Sequence, residues 1–298
     1  MALRIERRNC TAAAALVTLV TLAAISSAAL ADSAVPAGFT AIFDGKTLDG
    51  WHGDAGFFTV RDGVIVAGSQ QNDTPKNTYL ILDKPHADFE LHYKYRWVTQ
   101  DGNSGIQFRS GLADGHFALA GMQANLTPII PQTERFGMLY EELGDRAEMV
   151  LLGQKAVITR QAAGRGGRGR IVRSVLATTN PREKILAAIK PYPQWNDVVL
   201  IACGDRIIHA INGLLVFDAT DKDPLARRDG LIGIQVHAGK PMVVELKDMA
   251  IKSLASLPDL SPFVSQPGVA PEPTRTFKDS TKVAMPDEAL PPETAAAN

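Results

Sequence analysis

Phe89-Glu90-Leu91-His92-Tyr93-Lys94-Tyr95-Arg96-Trp97 alternates with a period of two: Phe89, Leu91, Tyr93, Tyr95 and Trp97 share one face, and Glu90, His92, Lys94 and Arg96 share the other. Successive side chains of an extended chain point to opposite sides, so this stretch is a half-buried antiparallel strand. Shorter runs of the same kind lie on both sides of it, at 57–60, 63–67, 78–82, 105–110, 149–152, 198–203, 206–211, 214–217, 231–237 and 243–252. Asp62-Gly63, Gly204-Asp205 and Asn212-Gly213 tolerate positive φ between apolar runs, and each predicts a hairpin. Many short strands separated by turns make an all-β sandwich or barrel. One short helix is predicted from Pro181 to Ile189, with proline in its first turn and Asn180 as its cap.

The ends of the chain read differently. Arg4, Arg7 and Arg8 precede an apolar stretch from Ala12 to Ile25, and Ala29-Leu30-Ala31 follows with small residues flanking a larger one. That is the pattern of a secretory signal peptide cut after Ala31, so residues 1–31 are an address and the destination is periplasmic or secreted. The apolar stretch falls short of the roughly 20 residues that span hydrocarbon, so no stable membrane insertion is expected after cleavage. Arg7-Arg8 leaves a twin-arginine route open. Residues 32–255 are the folded domain. Eight of the 18 prolines fall between Pro258 and Pro292, so 256–298 reads as a mostly disordered tail, with draping over the domain through Phe263 or Phe277 as the other reading.

Loss of the signal leaves 28 basic against 31 acidic residues, and no basic field remains to attract nucleic acid. The run Gly164-Arg165-Gly166-Gly167-Arg168-Gly169-Arg170 is then a surface loop. Cys203 is the one cysteine left, which excludes an internal disulfide and fits a packing role. His52, His86, His92, His116, His209 and His237 show no close-spaced ligand pattern, so no metal is expected. No phosphate-cradling loop, dinucleotide fingerprint or Gly-x-Ser-x-Gly elbow is present, and no cofactor is expected.

Particular residues say more than the pattern. Gly38-Phe39, Phe43-Asp44-Gly45-Lys46-Thr47-Leu48-Asp49-Gly50-Trp51 and Phe58-Thr59-Val60-Arg61-Asp62-Gly63-Val64-Ile65 resemble the opening of the 3-keto-disaccharide hydrolase domain family. The likeness continues in order through Asp88-Phe89-Glu90-Leu91, Gly102-Asn103-Ser104-Gly105-Ile106, Phe108-Arg109-Ser110, Gln194-Trp195-Asn196-Asp197, Arg206-Ile207-Ile208-His209, Asn212-Gly213 and Gly230-Leu231-Ile232-Gly233-Ile234-Gln235-Val236-His237. The resemblance implies a concanavalin-like jelly-roll sandwich of two curved antiparallel sheets and a carbohydrate ligand. It also implies, for members with an assigned reaction, action on glycosides already oxidised to a ketone at C3. Many relatives carry Tyr and a carboxylate where this chain has Met122 and Asn125, and an amide is no general base. The Glu-x-Asp-x-x-Glu strand of the glucanases of this fold is missing, which argues against retaining hydrolysis by a carboxylate pair.

Alternation places a candidate site without the family. Gln107 and Arg109 oppose Ile106 and Phe108, while Gln235 and His237 oppose Ile232, Ile234 and Val236. If these polar sides form one surface, Gln107, Arg109, Gln123, Asn125, Gln235 and His237 converge on it, and planar amides and a guanidinium suit sugar hydroxyls. The other reading is a solvated outer sheet face. Tyr140-Glu141-Glu142 adds a further ligand contact and the carboxylates. A ketone at C3 acidifies the C2 hydrogen, so a base can remove it and expel the C1 substituent, after which water adds to the enone. Glu141 or Glu142 would be the base, His237 the acid or the reverse, and Arg109 the clamp on the enolate or a hydroxyl. Both glutamates also read as exposed loop charges. Trp195 fits either a sugar-stacking ring or a seam residue, and His209 either a core histidine or a ligand contact. Three functions follow: a hydrolase or lyase of 3-keto-glycosides, a non-catalytic carbohydrate-binding module, and an adhesion or scaffold domain using the tail.

Overall fold

The computed structural model describes residues 35–113, 117–128, 135–161 and 169–266, with the backbone of 275–276. The expected export signal, most of the Gly164–Arg170 run, residues 129–134 and the rest of the tail, Phe277 included, lie outside the described residues.

Strands β1 (Thr40–Ala41), β2 (Trp51–His52), β3 (Phe58–Arg61), β4 (Val64–Ser69), β5 (Thr78–Leu82) and β6 (Phe89–Trp97) come first. They are followed by β7 (Ser104–Leu112), β8 (Leu119–Leu126), β9 (Leu139–Glu142), β10 (Glu148–Val150), β11 (Gln154–Gln161) and β12 (Arg170–Thr178). After the helix α1 (Arg182–Ala187) come β13 (Asn196–Cys203), β14 (Arg206–Ile211), β15 (Leu214–Asp221), β16 (Leu231–Val236), β17 (Met242–Ser253) and β18 (Arg275–Thr276). They build two sheets: one of 11 strands, ordered β18-β12-β11-β15-β14-β13-β6-β17-β4-β3 with β1 on β17, and one of seven, ordered β10-β9-β8-β7-β16-β5-β2. The architecture is the jelly-roll sandwich. Every described ladder between named strands is antiparallel except β11 on β15.

The core lies between the sheets and follows the alternation. Phe89, Leu91, Tyr93 and Tyr95 of β6 are buried against Ile106 and Phe108 of β7 and Ile232, Ile234 and Val236 of β16. In β17 the inward set changes phase, from Val244 and Leu246 to Met249 and Ile251, because a bulge with Asp248 at φ 52° inserts one residue. The predicted hairpins form: Asp62 and Gly63 have φ 51° and 79°, and Asn212 and Gly213 have φ 49° and 77°, the left-handed pair of a type I′ turn. The helix is shorter than Pro181–Ile189, and Asn180 does not cap it. Asn180 is buried and its amide donates to the carbonyls of Leu215 and Val264, tying the start of α1 to β15 and to the C-terminal segment. The described start of the tail packs on the domain: Leu254, Leu260 and Phe263 cover Ile201, Ile208 and Leu215 on the outward face of the larger sheet. Gln266 N–H and Ser265 Oγ–H both bond to the Thr179 carbonyl.

His209 is a core residue, fully buried beside Phe217. Burial pulls its pKa down from 6.5 to about 4, with the Gly137 backbone acting in the opposite sense. The folded protein therefore holds the neutral ring, and stability is complete above pH 6.5 and lost as the pH falls toward 4, by on the order of 3 kcal/mol. The difference in unfolding free energy between wild type and His209→Gln should shrink across that window in urea titrations. A constant difference would assign the acid sensitivity elsewhere.

Candidate functional site

The outward face of the smaller sheet is polar where a sandwich exterior is usually solvated, and its polar groups are buried. Gln107, Gln123, Asn125 and Gln235 are each at most 1% exposed, and Tyr79 is 2% exposed. Register explains the grouping: Gln107 pairs with Gln123 and with Gly233, Gln123 with Tyr140, and Gln235 with Tyr79, so β5, β16, β7, β8 and β9 present these side chains side by side. Buried amides are stable only when bonded, and these form a chain. Gln123 Nε2 donates to Asn125 Oδ1 at 2.8 Å and to Gln235 Oε1 at 3.2 Å, and Gln235 Nε2 donates to the Tyr79 hydroxyl at 2.8 Å and to Glu142 Oε1 at 3.1 Å. Asn125 Nδ2 donates to the Arg135 carbonyl and Gln107 Nε2 to that of Gly121. Gly105 lies under this layer: a Cβ there would sit 2.7 Å from the Ala124 oxygen and 2.7 Å from Gln123 Cγ, so the close packing requires glycine.

Above the amides is a cavity of about 490 Å³ lined by Asn103, Asn125, Arg135, Met138, Tyr140, Glu142, Ala147, Glu148 and His237. A second, of about 230 Å³, shares Asn103, Arg135 and His237 with it and adds Asp101, Gly102, Ala238, Lys240 and Met242. Glu142 receives the Gln235 bond on one oxygen, and the other accepts none among the described residues. Burial and the neighbouring Glu142 raise the pKa of Tyr140, as they do for Tyr79, so both phenols stay protonated. His237 Nδ1 lies 2.7 Å from the Ala238 carbonyl, which must accept, so the ring proton sits on Nδ1 and Nε2 is left for a ligand. Asn103 Oδ1 is buried without a hydrogen bond among the described residues.

The structure brings Gln107, Gln123, Asn125, Tyr140, Glu142, Gln235 and His237 together and sends three other candidates elsewhere. Arg109 leaves the face at a bulge between Phe108 and Gly111, where its φ is 46°. Its guanidinium is fully buried and donates to the Ala87 and Gly204 carbonyls and to Asp88, which tethers the smaller sheet to the larger one. It cannot also clamp a ligand in the cavity. Glu141 points away from Glu142 because adjacent strand residues face opposite sides. Both its oxygens bond Arg146, which is 3% exposed and also contacts Asp221 at 2.6 Å; Asp223, near Arg146, pairs with Arg160, which in turn binds Asp145. Burial opposes the Arg146 charge, yet Glu141 and Asp221 more than offset it and raise its pKa. Trp195 stands on the outward face of the larger sheet, against Val64, Val66 and Val243, with Arg96 Cζ 4.3 Å and Lys247 Nζ 4.7 Å from its ring. Cys203 is half-buried beside Asp88, and burial and that carboxylate raise its thiol pKa, which disfavours a nucleophilic thiolate.

Sequence reasoning passed over Asn103, Arg135, Glu148, Lys240 and Tyr79. Asn103 stood in one of the quoted blocks and Tyr79 on a predicted strand, so a face assignment for that strand would have found Tyr79. Arg135 and Lys240 lie outside the named strands, where alternation is silent.

Residues 38–252 match the 3-keto-alpha-glucoside-1,2-lyase-like domain family. The chain belongs to that family. No curated protein matches it. Among solved structures, a candidate glycosyl hydrolase from Parabacteroides distasonis is 19% identical, with 73% of this chain and 94% of that chain covered and a TM-score of 0.46. A second candidate glycosyl hydrolase from the same organism is 16% identical over 72% and 99%, with a TM-score of 0.48. The carbohydrate-binding module CBM66 from Bacillus subtilis is 14% identical over 68% and 96%, with a TM-score of 0.43. Family membership makes the function of this domain carbohydrate-related.

The two glutamates should separate cleanly by substitution. Glu141→Ala leaves buried Arg146 short of a partner and is expected to cost about 3 kcal/mol of stability. Glu142→Ala is expected to change stability by less than about 1 kcal/mol. Urea unfolding of both variants checks this, and equal losses would mean that the two carboxylates do the same structural work.

Proposed function

We propose that the domain cleaves 3-keto-glycosides outside the cytoplasm by base-assisted elimination followed by hydration. The observation that carries this reading is the placement of Glu142: a carboxylate held by a buried amide chain, opening onto the same cavity as His237 and the protonated Tyr140. Glu142 takes the proton from C2, the electron pair forms the enolate of the C3 ketone, and the C1–O bond breaks. The departing oxygen takes a proton from the imidazolium form of His237 through Nε2, the nitrogen not engaged with Ala238, which leaves the neutral ring with its proton on Nδ1. Tyr140 and Arg135 supply donors for the enolate oxygen, the task the sequence assigned to Arg109. Water then adds across the enone, its oxygen to C1 and its proton to C2. Asn125 needs no catalytic role here. Its side chain accepts from Gln123 and donates to the Arg135 backbone, which holds Arg135 beside the cavity. The export reading rests on Arg4 to Ala31.

A non-catalytic carbohydrate-binding module needs the same amide floor and cavity but no base. Following aglycone release from a 3-keto-glucoside separates the two. Glu142→Gln is expected to lower kcat by about 100-fold or more, with binding retained. His237→Asn should lower kcat as well, most for aglycones that are poor leaving groups. Binding of the ketone sugar without release by the wild type would leave only the binding module.

A further inference from the structure

The two cavities share His237 and Arg135 but differ in charge, and this difference points to the leaving group. Glu142 lines only the larger cavity, so the C2 hydrogen it would remove belongs there. His237 lines both, so the C1–O bond it would protonate lies at their boundary and the leaving group enters the smaller one. The larger cavity carries Glu142 and Glu148, which repel an anion. The smaller carries Lys240, which makes no ion pair among the described residues, and Arg135; its carboxylate, Asp101, accepts the Gly102 backbone N–H. We infer that the smaller cavity is a leaving-group subsite selective for a compact aglycone bearing a carboxylate or similar oxyanion, with Lys240 as the specificity-determining cation. The inference rests on the elimination reading for its orientation. Repulsion on one side of His237 and attraction on the other would then fix which end of the substrate enters first.

The test compares two 3-keto-glucosides that differ only in the aglycone, glycerol against glycerate. The wild type is expected to favour the glycerate conjugate about threefold to fivefold in kcat/KM at low salt, the range of one partly screened ion pair. Raising the salt should shrink the ratio, and Lys240→Glu should invert it. Equal kcat/KM for the two conjugates, or a ratio that Lys240→Glu leaves unchanged, would overturn the subsite. If neither conjugate is cleaved, the elimination reading fails, and calorimetry with the unoxidised pair still decides the subsite. Tighter binding of the glycerate form supports it, and equal affinity removes it.

Discussion

The grip of Arg146 on Glu141 fixes the phase of a short strand, and the site depends on that phase. β9 has four residues, Leu139 in the core and Tyr140-Glu141-Glu142 at the margin. A slip by one residue would exchange the faces of the two glutamates. Arg146 prevents it, since an unpaired guanidinium at 3% exposure is far costlier than a paired one. Asp221, itself fully buried, anchors Arg146 to the end of β15, and the Asp223–Arg160–Asp145 extension ties in β11 and the loop after β9. The ion network therefore belongs to the scaffold, and its consequence for the site is that Glu142, rather than Glu141, is presented to the cavity.

The amide layer beneath the cavity solves a related problem. Gln107, Gln123, Asn125 and Gln235 would be expensive to bury singly, and they are bonded through each other, to backbone carbonyls and to Tyr79. A chain of donors that ends on Glu142 holds its carboxylate in position. Buried, linked amides below and a mixed group of His, Tyr, Arg and Glu above make a floor and an upper layer that lines the cavity. Either carbohydrate recognition or elimination chemistry can use that floor, and the Glu142–His237 pair is what the proposed elimination adds to it.

Much of the fold could be read directly. The alternation of Phe89–Trp97, the Asp62-Gly63 and Asn212-Gly213 turns and the polar faces of Gln107 and Gln235 are local consequences of the two-residue period, and local rules are visible in a sequence. What could not be read is non-local or contrary to propensity. Arg109 obeys the alternation on paper, but a positive φ in an arginine takes it off the face, and no residue type announces that bulge. Choosing between Glu141 and Glu142 needed the β8–β9 register, which depends on a partner strand rather than on neighbouring residues. Trp195 looked suited to stack on a sugar, yet it lies on the other sheet, a matter of topology alone. β11 was missed although Ala156 and Ile158 face the core two residues apart, because Val157 between them is also apolar and breaks the alternation.

The central claim is that Glu142 removes the hydrogen at C2 of a 3-keto sugar. Turnover of a 3-keto-glucoside carrying deuterium at C2, compared with its protium form, tests this at the bond that breaks. The account predicts slower release from the deuterated substrate with the wild-type domain, and loss of the C2 label to solvent that Glu142→Gln abolishes. Release with the C2 deuterium fully retained in the product would contradict it, because the C1 bond would then have broken without elimination.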